Sequence, residues 1–453
     1  MRPIDRRTVL TGIGGAAVGA ALTVALRPGQ PEPAAPAKVA PPAPVAPGAG
    51  PMSGLPLAKD AAALQPDLVR LRRALHRQPE VGLSLPRSQE AVVKALDGLP
   101  LEVRTGNAVS SVVGVLRGGA PAPARRSVLL RGDMDALPLA EKNGLDYRSQ
   151  TADTMHACGH DLHTSMLVGA ARLLSAHREK LAGDVVFMFQ PGEEGFDGAG
   201  KMIAEGVLDA AGQRPVAAYA LHVGSTMPLG SFVTRRGPML SASDTLKVTV
   251  HGKGGHGAVP YQANDPIPVA SEMVTALQAM VTRQFSVFDP VICTVGLFQA
   301  GTKSNVIPDQ AHFEATVRTY STAARDRFIE QVTRLLRGIA DSRGMTVDAV
   351  FSEDHYDVTV NNAGEAEFLA DTVAQLHGAE RFAWLPDPLT PSEDFSKVLA
   401  QVPGAMAMLG ACPPGRDPAT APANHSPLAE FDDAVMADGA AVLAELALRR
   451  LVS

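Results

Sequence analysis

Apolar positions along this chain switch between a helical and a strand period, and the switches outline its elements. Leu64, Leu68, Leu71 and Leu75 mark one face of a helix that leaves Arg70, Arg72 and Arg73 outside, and the run from His76 to Glu80 ends it. A second helix is expected near 88–96, then Val- and Leu-rich strands over 110–116 and 127–131. A helix follows over 162–174, a buried strand over 184–190 and another strand over 216–221. Beyond residue 241 the pattern changes: 245–250, 291–298 and 312–319 alternate like half-exposed antiparallel strands, 267–282 and 325–340 carry helical spacing, and 345–351 is a last strand. The chain then returns through a helix near 365–376, a strand at 405–409 and a terminal helix over 430–451.

This order predicts an α/β protein in two parts. Residues 59–240 and 352–453 would build a domain with a mostly parallel central sheet flanked by helices, and 241–351 a two-layer α/β domain inserted into it. Ahead of them, Arg6-Arg7 precedes an apolar run over 12–26, the pattern of a twin-arginine export signal spanning 1–26. A buried first helix is the other reading, although the run has no polar face. Residues 27–58 are rich in Pro and Ala with few large apolar groups, so they read as a linker. The expected location is therefore outside the cytoplasm, with a membrane tether if the signal stays uncut.

Composition removes some function classes. At 453 residues the chain exceeds the usual size of one core, and a net charge of -6 with a sequence pI near 6.1 gives no footprint for nucleic acid. Three cysteines, Cys158, Cys293 and Cys412, are too few and scattered for a disulfide framework.

The chemistry concentrates in Met155-His156-Ala157-Cys158-Gly159-His160-Asp161-Leu162-His163, whose thiol and imidazoles are ligands that zinc and similar ions prefer. Gly159 lets the backbone turn between Cys158 and His160, so both could reach one ion. Asp133 and Asp135 follow the strand over 127–131, where ligands gather in open α/β sheets, or else form a solvated turn. Glu193 and Glu194 follow the strand over 184–190. One carboxylate of such a pair can bind metal while its neighbour takes a proton from activated water, the other reading being a surface turn. His222 ends the strand over 216–221, and His425 stands beside a turn. The Gly-rich run 252–257 lacks the Lys-Ser or Lys-Thr of a phosphate loop, and no Gly-x-Ser-x-Gly elbow of a serine hydrolase occurs.

Taken in order, Gly132 to Pro138, His156 to His163, Gln190 to Gly195, Gly252 to His256, Asn305 to Pro308 and His425 to Pro427 resemble the metal-dependent aminoacylase and carboxypeptidase superfamily, in its hippurate hydrolase and auxin-conjugate amidohydrolase branch. The resemblance spans about Leu64 to the C-terminus. It implies a site for two divalent ions (Zn, Mn, Co or Ni) held by Cys158, His160, Glu194, His222 and His425. Glu193 would be general base and acid, and Asp135 would orient a ligand. Asp133 stands where sister branches carry a ligand His and is left outside the coordination sphere. From the inserted lid, His256 would stabilise the oxyanion, in its own site or a partner's, while Asn305 and Arg318 would approach the substrate. The lid would also mediate a homodimer. The 389–395 segment carries Pro391 where relatives often place Gly. The implied reaction is hydrolysis of N-acyl amino acids or small amino-acid conjugates. A dipeptidase or carboxypeptidase, and a metal-binding protein without turnover, are the rival readings, and the intact Glu193 speaks against the last.

Overall fold

All seven residues are buried in each of two strands, Ser127–Asp133 and Asp184–Gln190, and these set the middle of the fold. The structure, a computed structural model, describes residues 52–122, 125–352 and 355–452, so the export signal and 27–51 of the linker lie outside the described residues. In chain order, α1 (Leu57–Arg77) and α2 (Pro86–Leu96) precede β1 (Leu101–Thr105), β2 (Val112–Arg117) and β3 (Ser127–Asp133). Then come α3 (His160–Ala176), β4 (Asp184–Gln190), α4 (Gly198–Ala204), β5 (Ala217–Gly224), β6 (Phe232–Thr234), β7 (Gly237–Leu240) and β8 (Ala242–His251). They are followed by β9 (Gly255–His256), α5 (Pro266–Gln284), β10 (Ile292–Ala300), β11 (Val306–Ile307), β12 (Gln310–Thr319), α6 (Thr322–Ser342) and β13 (Thr346–Phe351). The return runs through β14 (Thr359–Asn361), α7 (Ala363–His377), β15 (Phe382–Trp384), α8 (Ser396–Leu399), β16 (Gly404–Gly410) and α9 (Val435–Val452).

The large sheet has the order β1-β2-β4-β3-β5-β16-β6-β15. Its centre, β4-β3-β5-β16, is parallel throughout, while β2 joins antiparallel at one side and β6 at the other. The ends of β3, β4 and β5 therefore open on one edge, with β3 between the other two. Because strand side chains alternate, Leu130 and Phe187 enter a core with Leu68, Leu167 and Leu443 of α1, α3 and α9, whereas Leu129, Val186 and Met188 enter a second core with Met202, Phe395 and Met406. Burial on both faces is what near-continuous apolar runs in parallel strands predict.

A second sheet, β10-β12-β8-β13, is antiparallel and has its own core, where Leu246, Val248 and Phe313 meet Met273 and Leu277 of α5 and Phe328 and Leu336 of α6. Asp265 caps α5 by accepting from Ile267 N at 3.0 Å, and Ser321 caps α6 by accepting from Ala324 N at 2.9 Å. Among the described residues no helix is long and apolar enough to cross a membrane.

Several expectations are corrected. Arg72 is not on the outer side of α1 but wholly buried, its Nε 2.7 Å from Asp161. The folded part begins before residue 59: Leu57 opens α1 and is buried, and Ser53 donates to Glu445 from both N and Oγ at 2.6 Å. The terminal helix starts at Val435 rather than 430, because Asp433 turns back to meet Arg72 and Arg73.

Candidate metal centre

The edge where β3, β4 and β5 end gathers the candidate ligands from four places. Cys158 and His160 come from the turn that starts α3, where Gly159 takes the left-handed conformation at φ 84°. A side chain there would be strained, and its Cβ would lie 2.3 Å from Val223 Cγ2 of β5. Only glycine lets thiol and imidazole reach the same place from two residues apart. His222 stands within β5, not after it, and its Nε2 is 3.4 Å from Cys158 Sγ. Glu194 follows β4. His425 arrives from the loop before α9 with φ 68°, a conformation that costs of order 1–3 kcal/mol outside glycine and recurs at functional sites. Its backbone N–H is pinned to Ala157 O at 2.9 Å, and its Nε2 lies 3.3 Å from Cys158 Sγ and 3.1 Å from Glu194 Oε1.

Among the described residues five groupings could hold an ion, and two consist of candidate ligands alone; Asp133, His160 and His163 form a third, and Glu193 shares one with His160 and Glu194 and another with Glu393 and Asp394. Cys158, His160 and His222 have ligand atoms within 4.8 Å of one another, and so do Cys158, Glu194 and His425, with the thiol common to both. The donor set fits divalent ions: thiolate, imidazole and carboxylate are what zinc-like ions take, and an overlapping pair of groupings suits two. The polar accounting agrees. Buried groups are nearly always hydrogen-bonded, yet neither ring nitrogen of His160 nor Glu194 Oε1 has a partner at hydrogen-bonding geometry.

The surroundings split the two glutamates. Burial, then Glu393 and Glu194, push Glu193 well above the usual carboxylate range. Burial also raises Glu194, but His425 and His160 outweigh it and hold Glu194 below its ordinary value. Among the described residues no hydrogen bond takes up the Glu193 carboxyl, while its backbone N–H and that of Glu194 both donate to Asp135, each at 3.0 Å. Asp135 also lies 3.4 Å from His160 Nδ1, so the carboxylate that holds the Glu193 turn faces a candidate ligand ring as well.

Asp133 is buried behind this layer. Its Oδ1 meets His163 Nδ1 at 2.6 Å and its Oδ2 receives Arg131 at 2.6 Å. Burial acts to raise it, but Arg131, His160 and His163 hold it well below its usual range. His163 groups with His160 and Asp133, but both its ring nitrogens are taken, Nδ1 by Asp133 and Nε2 by Val223 N at 2.8 Å, so it braces β5. His156 points elsewhere too: it is buried near His76, and burial drops its pKa to about 3. Of the three imidazoles in the dense stretch, only His160 groups with the candidate ligands Cys158, His222 and Glu194.

Sequence reasoning missed the layer beneath Glu193. Arg131 donates to Glu393 at 2.7 Å and Asp394 at 3.2 Å, and Gln190 Nε2 donates to Asp394 at 2.7 Å. An arginine inside an apolar strand was the available signal. The three lid residues stand apart from the ligands: no hydrogen bond or ion pair among the described residues joins them to the cluster. His256 and Asn305 neighbour each other at the exposed β9–β11 ladder, where Gly257 N donates to Asn305 O at 2.9 Å. Arg318 donates to Ser243 Oγ at 2.6 Å, half-buried in the second sheet.

Comparison with known proteins bears on this geometry. The model of peptidase family M20/M25/M40 matches residues 129–449. An IAA-amino acid hydrolase ILR1-like 4 of Arabidopsis thaliana is 36% identical over 390 residues, covering 85% of this chain and 86% of that protein. Thermostable carboxypeptidase 2 of Saccharolobus solfataricus is 33% identical over 357 residues, 78% of this chain and 88% of the other. The crystal structure of YXEP from Bacillus subtilis, a dinuclear metal binding peptidase of the M20 family, superposes with a TM-score of 0.73 at 27% identity, covering 86% of this chain and 99% of that one.

Proposed function

The chain belongs to peptidase family M20/M25/M40, and from that premise we propose that it is a metal-dependent amidohydrolase that cleaves the amide bond of N-acyl amino acids or small amino-acid conjugates. The observation that carries this reading is Glu193, a buried carboxyl that takes up no hydrogen bond among the described residues, next to a carboxylate that groups with Cys158 and His425. A protein that only stored metal would have no use for it.

Cys158, His160, Glu194, His222 and His425 would hold two divalent ions, which when bound polarise the scissile carbonyl and lower the pKa of water. Glu193 takes a proton from the attacking water as its oxygen adds to the carbonyl carbon. The same carboxyl then passes that proton to the amide nitrogen, the C–N bond breaks, and a carboxylic acid and a free amino acid leave. A group that both takes and gives a proton works best when its pKa is lifted toward the working pH, and burial beside Glu393 and Glu194 lifts Glu193 in that direction. Asp135 fixes the turn that aims it. His256 would stabilise the oxyanion and Arg318 would grip the substrate carboxylate, with Asn305 beside them, once the second sheet closes over the site.

The similarity to a carboxypeptidase supports a second substrate arm, N-blocked dipeptides. The test is a panel of N-acyl amino acids and N-blocked dipeptides offered to protein loaded with Zn, Mn, Co or Ni in turn. Glu193→Gln should lose about a hundred- to ten-thousandfold in turnover with its metal content unchanged. Wild-type turnover in that variant, or no hydrolysis of any panel member with any metal, would sink the reading. We infer also that residues 241–351 act as a lid and mediate a homodimer, and that the twin-arginine pattern directs export. Fusion of residues 1–58 to a reporter that works only outside the cytoplasm tests the last point.

A further inference from the structure

Tyr356 lies on the segment that leaves the second sheet. Its backbone pairs with Ser243 at the start of β8, the strand by which the chain enters that sheet: Ser243 N donates to Tyr356 O at 2.9 Å and Tyr356 N to Ser243 O at 3.1 Å. Its buried side chain ends at the turn after β4. There the hydroxyl accepts from Gly195 N at 2.8 Å and from Asp197 N at 3.4 Å, and donates to the Glu193 carbonyl.

We propose that Tyr356 is a positioning residue for the general base: its hydroxyl ties the Glu193 turn to the crossing that carries the second sheet, so that the aim of Glu193 depends on where that sheet sits. The inference rests on the role proposed above for Glu193. The turn is gripped at two points. Asp135 takes the N–H groups of Glu193 and Glu194, and Tyr356 takes the carbonyl of Glu193 and the N–H of Gly195. Gly195 N also donates to Glu193 O at 2.7 Å, but that bond lies within the turn and anchors it to nothing else. Gly195 is at φ 86° and a Cβ there would touch nothing, so packing does not substitute for the hydroxyl on that side. Without it, that side of the turn keeps the ion pair of Asp197 with Lys397, two residues beyond Gly195, and nothing described holds the Glu193 carbonyl to another segment. The far side of the crossing matters as well: Ser243 accepts from Arg318. One junction of two residues thus touches the residue assigned to the substrate's carboxylate and the turn that bears the base.

The test is Tyr356→Phe, which keeps the ring and removes only the hydroxyl. A misplacement near 1 Å costs about a hundredfold in rate, so kcat on an N-acyl amino acid should fall about ten- to a hundredfold, with KM within about twofold and two ions still bound. Amide hydrogen exchange across 193–197 should quicken. In a Glu193→Gln background the same change should leave the residual rate as it was, because the group being aimed is gone. An unchanged kcat, a loss confined to KM, or an equal fold-loss in both backgrounds would overturn the proposal. Should Tyr356→Phe not accumulate as folded protein, 4-fluorophenylalanine at position 356 fills the place of the hydroxyl without donating a hydrogen bond. The same fall in kcat, about ten- to a hundredfold, is then expected, and an unchanged kcat would overturn the proposal. Full activity of Glu193→Gln in the otherwise native chain would instead remove the base assignment itself.

Discussion

A thiolate, imidazole or carboxylate takes up a cation only after its proton has left. His425 is pushed up to about 10 by Cys158 and Glu194 close beside it, and His160 is raised by Asp133 and Cys158 against the effect of burial. A raised pKa means the proton is held until the pH climbs past it, so cations compete with protons throughout the neutral range and apparent affinity should rise with pH toward about 10. Chelator-treated protein titrated with zinc at neutral pH should release protons, seen as a binding heat that changes with the ionisation enthalpy of the buffer. Equal heats in phosphate and Tris would contradict this. At Gly159 the expectation is steric. Gly159→Ala places a side chain at φ 84° and drives its Cβ against Val223. It should cost at least about 1–3 kcal/mol from the backbone conformation alone and lower metal content, both measurable by urea unfolding and by metal analysis of the purified variant. A variant with native stability and two bound ions would show that the turn can be made another way.

Helices α1 and α3 are joined by charge rather than by apolar contact at the end nearest the site. Arg72 reaches Asp161 at 2.7 Å and Asp433 at 3.1 Å, and His76 reaches Asp161 at 2.8 Å and Glu141 at 3.0 Å. All of these but Asp433 are nearly or wholly buried, so the pair is held by mutual need: removing one partner leaves an uncompensated buried charge, worth about 3–5 kcal/mol. Arg72→Met should therefore destabilise strongly although it adds apolar surface. Burial raises Asp161, but Arg72 and His76 overcome it and depress the carboxyl far below the ordinary value. Its contribution to stability is thus complete above the unfolded pKa of about 3.9 and is lost as pH falls below it. In Arg72→Met the folded pKa moves up toward the unfolded one, so the loss on acidification should be smaller and should finish at a higher pH, and chemical unfolding at a series of pH values would show whether it does. This joint was not legible in the sequence. Arg72 sits among Arg70 and Arg73 on a helix whose leucines already account for a buried face, and its partner belongs to the His- and Cys-rich stretch, where an aspartate reads as part of the metal chemistry. What the local period did carry was β4, apolar between its end residues and found over the expected span. The three-residue strands β6, β14 and β15 escaped because their pairing is supplied by distant residues.

Across the whole molecule, the candidate ligands come together because topology places β3 between β4 and β5, and no spacing along the chain states that order. The motifs identified which residues mattered, but Glu393, Asp394 and Tyr356, which surround Glu193, belong to segments whose part in the site depends on the return from the second sheet. That sheet also has an unpaired side. Its edge strand β10 exposes Ile292 and Phe298 at 38% and 42%, and the turn before it exposes Phe288 at 95%. A free, partly apolar edge is a surface that proteins usually cover or blunt with charge, and a second copy of the same strand related by twofold symmetry would cover it with a self-complementary patch. The protein should then sediment at twice its 47.3 kDa mass, less any signal removed. Ile292→Lys with Phe298→Lys should give a monomer that keeps its two ions, since neither residue is near the ligands. If His256 serves the partner's site, that monomer will also lose kcat, and mixing it with a Glu193→Gln monomer will not restore activity. A Lys variant that remains a dimer would move the interface elsewhere, and a monomer with full kcat would place each active site within a single chain.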